Sequence, residues 1–205
     1  MITKKPMQLK ALIKKKAGEN RIPAQLVMQN YMMERLLGHI SLSKYKQNFI
    51  LKGGSLIAAI VGLDMRTTMD MDATIKGFPL TRDSIRSIFD ESCAISIEDD
   101  VTFSISRISE IREGDIYPGL RVHLIANYSP LAVSLAVDVT TGDKITPQAV
   151  EYSFRLMFDD RSISVLAYNL CVLLRSSGIA LSNNNPIPSG VGEEVSQTTG
   201  YTSTL

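Results

Sequence analysis

Two aspartates stand at alternate positions of one short segment, which reads Met69-Asp70-Met71-Asp72-Ala73. Successive residues of a β-strand point to opposite faces of a sheet, so a strand here would carry both carboxylates on one face. Neighbouring carboxylates repel each other unless a cation lies between them, and hard oxygen ligands of this kind suit Mg²⁺ bound together with substrate phosphates. We therefore predict that Asp70 and Asp72 bind a metal ion; the alternative is a solvated strand face.

A glycine turn precedes the aspartates in the sequence. Its two glycines allow a close backbone approach, and amides at the start of a following helix attract phosphate. Ser55 would donate a hydrogen bond to a phosphate oxygen, although it could equally be a plain helix cap. Arg66 has a planar fork that matches phosphate oxygens, with an ordinary surface charge as the alternative. We predict that the nucleotide-binding residues are Lys52, Gly53, Gly54, Ser55 and Arg66.

A third carboxylate, Asp138, interrupts the small-residue face of the alternating segment 131–140. A carboxylate near the end of a neighbouring strand could hold a second metal ion or accept the proton of an attacking hydroxyl. Its alternative is a charge on an edge strand. The predicted catalytic and metal-binding set is therefore Asp70, Asp72 and Asp138.

The elements that must position these residues follow from periodicity and turn chemistry. Helices are predicted at 7–17, 23–39 and 55–61, and Thr81 is predicted to cap a further helix that ends near residue 92. Strands are predicted at 49–52, 68–75, 101–111, 120–128, 131–140, 152–158 and 162–167. The last two flank the hairpin turn Asp159-Asp160-Arg161.

The order Lys-Gly-Gly-Ser, short helix, Arg-Thr-Thr-Met-Asp-Met-Asp resembles the signature of the AbiEii/AbiGii toxin nucleotidyltransferases, which have the DNA polymerase β-type nucleotidyltransferase fold. The resemblance extends over residues 8–169 and includes the segments 137–143 and 161–169. It implies an α+β fold, with a nucleotidyltransferase-like mixed or antiparallel sheet, flanking helices and a polar, irregular C-terminal tail.

The resemblance also implies a function. The family transfers a nucleoside monophosphate from a nucleoside triphosphate (NTP) to an acceptor hydroxyl, with Mg²⁺ or Mn²⁺ as cofactor. RNA such as tRNA is an implied acceptor, and a toxin-antitoxin or abortive-infection system with a cognate antitoxin is the implied setting. Two alternatives stay open, an inactive remnant of such an enzyme and a small-molecule nucleotidyltransferase of the antibiotic-modifying kind.

The resemblance stops after Tyr168-Asn169-Leu170. The family continues with a helix that carries a lysine near the phosphates and then with a helical domain, whereas no lysine follows Lys144 here. We therefore expect residues 1–45 to form helices that pack on the core, residues 46–170 to form the nucleotidyltransferase core, and residues 171–205 to be a poorly ordered tail. Two explanations of the tail stay open. It is the end of a truncated or frame-altered product, which would have weak or no activity, or it is a real divergence from the family.

Composition narrows the class of protein. The 205 residues are 44% hydrophobic and 21% charged, which is ordinary for a globular protein, and the net charge of +1 gives no general argument for nucleic-acid binding. No signal peptide or membrane-spanning stretch is recognisable, so the sequence predicts a cytoplasmic protein without a membrane partner. Cys93 and Cys171 lack the spacing of a metal site.

Overall fold

The computed structural model of the protein describes residues 6–52, 70–97, 99–111, 119–142 and 148–168, without the side chains of Asp70 and Phe154. The predicted glycine turn and the helix after it, Arg66 and the tail 171–205 lie outside the described residues. The elements are α1 (Pro6–Asn20), α2 (Ala24–Leu42), β1 (Phe49–Lys52), β2 (Asp70–Ile75), α3 (Arg82–Cys93), β3 (Thr102–Glu110), β4 (Gly119–Tyr128), β5 (Leu131–Thr140), β6 (Val150–Arg155) and β7 (Ser162–Ala167).

The strands form one sheet in the order β3-β4-β5-β2-β1-β7-β6. Neighbours are antiparallel except for two parallel pairs, β2 with β5 and β1 with β7. The predicted α+β class with a mixed sheet and flanking helices is confirmed. Parallel pairing requires a long connection between the two strands, and β2 is joined to β5 through α3, β3 and β4.

One face of the sheet is apolar and carries the helices. Met71, Ala73, Val122, Val137 and Val139 are almost completely buried there. Helix α2 packs on β5 and β7, α3 packs on β3, and α1 packs on α2. No helix in the described ranges is long and apolar enough to cross a membrane. The helices therefore bury one face, and the polar side chains that alternate with this core point to the other face.

A β-bulge in β3 changes which of its side chains face the core. Phe103 and Ile105 face the core, but the next core residue is Ile108, because the register shifts between Ile105 and Arg107. An extra residue in one strand of an antiparallel pair reverses the alternation beyond it. As a result Arg107 and Ser109 lie on the polar face.

Two element ends differ from prediction for identifiable reasons. Helix α2 begins at Ala24, since Pro23 has the extended backbone of a cap, with φ −61° and ψ 132°. Strand β6 ends at Arg155 rather than at residue 158, because the backbone amide of Met157 donates to Oε2 of Glu34 on α2 at 2.6 Å. The predicted cap of α3 is confirmed: the Thr81 hydroxyl accepts from the amide of Ser84.

A cluster of titratable side chains is buried beneath the helices. Arg35 is 6% exposed, His39 2% and Asp99 1%. His39 also makes an edge-to-face contact with Phe103, with 5.2 Å between the ring centroids. Burial lowers the pKa of His39 below its ordinary value, because desolvation disfavours the imidazolium, and the nearby Asp99 offsets this only in part.

The His39 environment predicts a pH dependence of stability. The folded-state pKa lies below the ordinary value of 6.5, so protons bind the unfolded chain preferentially and the free energy of unfolding falls as pH drops through that value. One group changes this energy by at most about 1.4 kcal/mol per pH unit. Urea unfolding between pH 7.5 and 5 should show a smaller loss for His39→Gln than for the wild type. His123→Gln is the control, and equal slopes for His39→Gln and the wild type would contradict the prediction.

Candidate active site

The register of two parallel strands brings two of the predicted carboxylates together. Asp72 on β2 pairs directly with Asp138 on β5, and Asp70 pairs with Ala136. Adjacent strands lie about 4.8 Å apart, and side chains opposite each other share a face. Asp70 lies two residues before Asp72 on β2, and its side chain is not described. The two strands therefore place Asp72 and Asp138 side by side on the polar face.

Lys52, a predicted nucleotide-binding residue, lies on the other side of Asp72. It pairs with Asp72 across the antiparallel strands β1 and β2. Its Nζ reaches across β2 to donate a hydrogen bond to Oγ1 of Thr140, at the end of β5. The hydroxyl of Thr74 donates to the Thr140 carbonyl at 3.2 Å. Lys52 is therefore held over the strand that carries the aspartates.

Arg121 on β4 is a site residue that the sequence analysis missed. It pairs in register with Asp138, and its guanidinium binds both carboxylate oxygens, Nε to Oδ1 at 2.6 Å and Nη2 to Oδ2 at 2.7 Å. The side chain of Asp138 is 15% exposed and that of Arg121 is 36% exposed. A bidentate guanidinium–carboxylate pair of this kind fixes the plane of the carboxylate.

Four neighbouring strands thus carry one row of charges, which we call the charged row: Lys52, Asp72, Asp138 and Arg121. Its two carboxylates are in the middle and its two cations are at the ends. The cations partly neutralise two like charges that the parallel register forces together. The row lies on the face opposite the buried core.

A signal for Arg121 was present in the sequence. The strands β4 and β5 are joined by the tight turn Ser129-Pro130, so that Tyr128 pairs with Leu131. In a hairpin the turn sets the register of all later pairs. Arg121 lies seven residues before Tyr128 and Asp138 lies seven residues after Leu131, so counting outward from the pair that flanks the turn identifies their pairing.

The polar face continues beyond the charged row onto β3. His123 lies within hydrogen-bond distance of two β3 side chains, with Nε2 at 3.1 Å from Nη2 of Arg107 and 3.3 Å from Oγ of Ser109. Arg107 is exposed. This side of the sheet therefore presents positive and polar groups next to Asp138.

The chemistry of the charged row suits a hard cation. Asp72 and Asp138 supply carboxylate oxygens in adjacent positions, which a divalent cation can bridge, and each Asp138 oxygen keeps a lone pair beyond its bond to Arg121. Within the described residues, no group of three or more His, Cys, Asp or Glu side chains forms a metal site. A third ligand would have to come from outside that set, and Asp70 has the backbone position for it.

The predicted site residues therefore fall into three groups. Lys52, Asp72 and Asp138 are brought together. Asp70 is placed by its backbone alone. Gly53, Gly54, Ser55 and Arg66 lie outside the described residues, so their roles stay predictions.

Comparisons with known proteins agree with the resemblance. The family model described as the nucleotidyl transferase AbiEii toxin of a type IV toxin-antitoxin system matches residues 35–174. No curated protein matches the chain.

Two solved structures from Helicobacter pylori are similar in fold. The protein JHP933 has 10% sequence identity and a TM-score of 0.45, over 74% of this chain and 55% of its own. A protein described as a candidate nucleotidyltransferase has 9% identity and a TM-score of 0.45, over 76% of this chain and 58% of its own. The chain thus spans less than two thirds of either protein.

The partly buried pair predicts a measurable contribution of Asp138 to stability. In buffer without divalent cations, Asp138→Asn should lower the free energy of unfolding by about 1–2 kcal/mol, because one oxygen that accepts from Arg121 is replaced by an NH2 donor and the other loses its charge. Asp160→Asn is the matched control, since Asp160 bonds Arg155 at the similar distance of 2.7 Å but is 96% exposed. Urea unfolding should show no change for the control. Equal effects of the two substitutions would mean that the Asp138 pair behaves as an ordinary surface pair.

Proposed function

Because the chain belongs to the AbiEii family of nucleotidyltransferase toxins, we propose that it moves a nucleoside monophosphate from an NTP to an acceptor hydroxyl in a metal-dependent reaction. The observation that supports this most directly is the register of β2 and β5, which sets Asp72 beside Asp138. Two carboxylates in adjacent positions on a sheet repel each other and destabilise it. A divalent cation bound between them would offset this repulsion.

In this proposal Asp70, Asp72 and Asp138 hold Mg²⁺ or Mn²⁺. A metal held by these residues would supply positive charge to the triphosphate and to the charge that develops during transfer. The protein contributes mainly position, because Asp72 and Asp138 lie on strands in the middle of a sheet whose opposite face is buried. The rigid strands keep the ligand oxygens in place before the substrate binds.

The phosphates would lie on the β1 side of the charged row. Lys52 is the last residue of β1, and the predicted turn Gly53-Gly54-Ser55 follows it directly. Lys52 is already turned towards β5 by its bond to Thr140. We assign Lys52, the amides of the turn, Ser55 and Arg66 to the triphosphate, which leaves the β4 side for the acceptor.

The family suggests the biological setting. We propose that the chain acts as the toxin of a type IV toxin-antitoxin system with a cognate antitoxin as partner, and that it works in the cytoplasm, where NTPs and RNA are found. RNA is the acceptor class that we favour. The arginines on this side of the sheet, Arg121 and Arg107, are of the type that contacts a phosphate backbone.

Ligand-dependent stability tests the metal and nucleotide site. A ligand that binds only the folded state raises the melting temperature, so Mg²⁺ with an NTP should stabilise the wild type. The Mg²⁺-dependent part of the shift should disappear in the Asp70→Asn/Asp72→Asn double variant. Asp90→Asn is the control, because Asp90 is exposed on α3, which packs on the other face of the sheet. An undiminished shift in the double variant would place the metal elsewhere.

Transfer of a labelled nucleotide tests the reaction and its acceptor. Each labelled NTP is incubated with the full chain and Mg²⁺, with either total RNA or an aminoglycoside as acceptor. We expect label on RNA, and a loss of at least about 100-fold in Asp72→Asn, by analogy with the removal of one preorganised electrostatic group. Asp90→Asn should retain the activity. Label on the aminoglycoside would identify a small-molecule enzyme, and no transfer to either acceptor would contradict the proposed activity.

A further inference from the structure

The two carboxylates at the centre of the charged row have different surroundings. Asp138 lies between Asp72 on one side and Arg121 on the other. Both of its oxygens accept a hydrogen bond from Arg121, at 2.6 and 2.7 Å. The charge of the Asp138 carboxylate is therefore already neutralised by the guanidinium of Arg121, before any metal is bound.

This pair has no evident role in the core. Arg121 is on the polar face, and its neighbours along β4, Leu120 and Val122, supply the buried contacts of the strand. The pair is partly exposed, with side-chain exposures of 36% for Arg121 and 15% for Asp138, so its contribution to stability is modest. Its position next to Asp72 is better explained by the site than by the fold.

We propose that Arg121 is a positioning residue that competes with the divalent cation for Asp138. The inference rests on the proposed function, since it concerns the same metal site. In the metal-free protein Arg121 orients Asp138 and neutralises it. When a cation is bound, Asp138 is shared between that cation and the guanidinium, so the affinity for the metal is lower than three carboxylates alone would give.

The physical basis is the repulsion between two cations that share one carboxylate. A guanidinium and a divalent cation on the same carboxylate are only a few ångströms apart, and at such separations the repulsion between partly buried charges weakens binding by roughly tenfold. Arg121 also holds the carboxylate plane, so its removal leaves Asp138 free to rotate. Electrostatic repulsion and rotational freedom have opposite effects on metal affinity. We assign the larger effect to repulsion, and the affinity of Arg121→Gln for Mn²⁺ tests this assignment.

The affinity of the full chain for Mn²⁺ alone tests the inference. Free Mn²⁺ gives a six-line electron paramagnetic resonance signal that weakens on binding, so affinity is measured without substrate or turnover. Arg121→Gln should bind Mn²⁺ about five- to tenfold more tightly than the wild type. Arg121→Lys, which keeps the charge but not the fork, should lie between them.

Two further variants separate the pair from general charge effects. Arg107→Gln is the matched control, because it removes an arginine from the same face whose neighbour is His123 rather than a carboxylate. It should bind Mn²⁺ as the wild type does. In an Asp138→Asn background, Arg121→Gln should change the affinity very little, because the two residues act through one carboxylate. Urea unfolding in metal-free buffer establishes that each variant is folded.

The outcomes distinguish this inference from the proposed function. If the wild type binds Mn²⁺ and Arg121→Gln binds it equally or less tightly, the competition is wrong while the metal site stands. The inference is also wrong if Arg107→Gln tightens binding as much as Arg121→Gln. If the wild type binds no Mn²⁺, the proposed metal site fails and the inference fails with it.

Discussion

The parallel pairing of β2 with β5 is the constraint on which the site depends. It joins strands that are distant in the sequence, and its register sets Asp72 directly beside Asp138. Two like charges in adjacent positions destabilise a sheet, so the pairing must be stabilised by other contacts. The apolar residues that alternate with the aspartates supply them, because Met71 and Val137 pair in the same register and are buried under the helices.

The strict division of the sheet into two faces connects packing to chemistry. A register shift of one residue would exchange the buried and exposed faces of a strand, and would move Asp72 into the core and Met71 into solvent. The buried face therefore fixes the orientation of the charged row. At the edge of the sheet, the bulge in β3 places Arg107 and Ser109 on the polar face. Without it, strict alternation would place them on the core face with Ile105. The helices contribute to the site indirectly, by stabilising one register.

Positive and negative charges are balanced along the row. Lys52 and Arg121 flank the two carboxylates, so the row is balanced before any ligand is bound. The two cations are held differently, Lys52 by the neutral hydroxyl of Thr140 and Arg121 by the carboxylate of Asp138. The β1 side of the charged row, next to the predicted phosphate turn, therefore carries a cation bound to a neutral group, whereas the β4 side carries a cation paired with a carboxylate.

The sequence alone determined what is local. Alternation in the segments 70–75 and 131–140 identified the strands and the faces of their side chains, and Thr81 marked the start of α3. The short turn between β4 and β5 is also local and sets the pairing of Arg121 with Asp138, although the sequence analysis did not use it. Only the tertiary structure decided that β2 lies beside β5, that β3 carries a bulge, and that Glu34 ends β6 by binding the Met157 amide. The physical reason is the distance along the chain over which each feature is decided. Alternation and turns depend on a few consecutive residues. Strand order and the register of distant strands depend on how the whole apolar face packs against the helices.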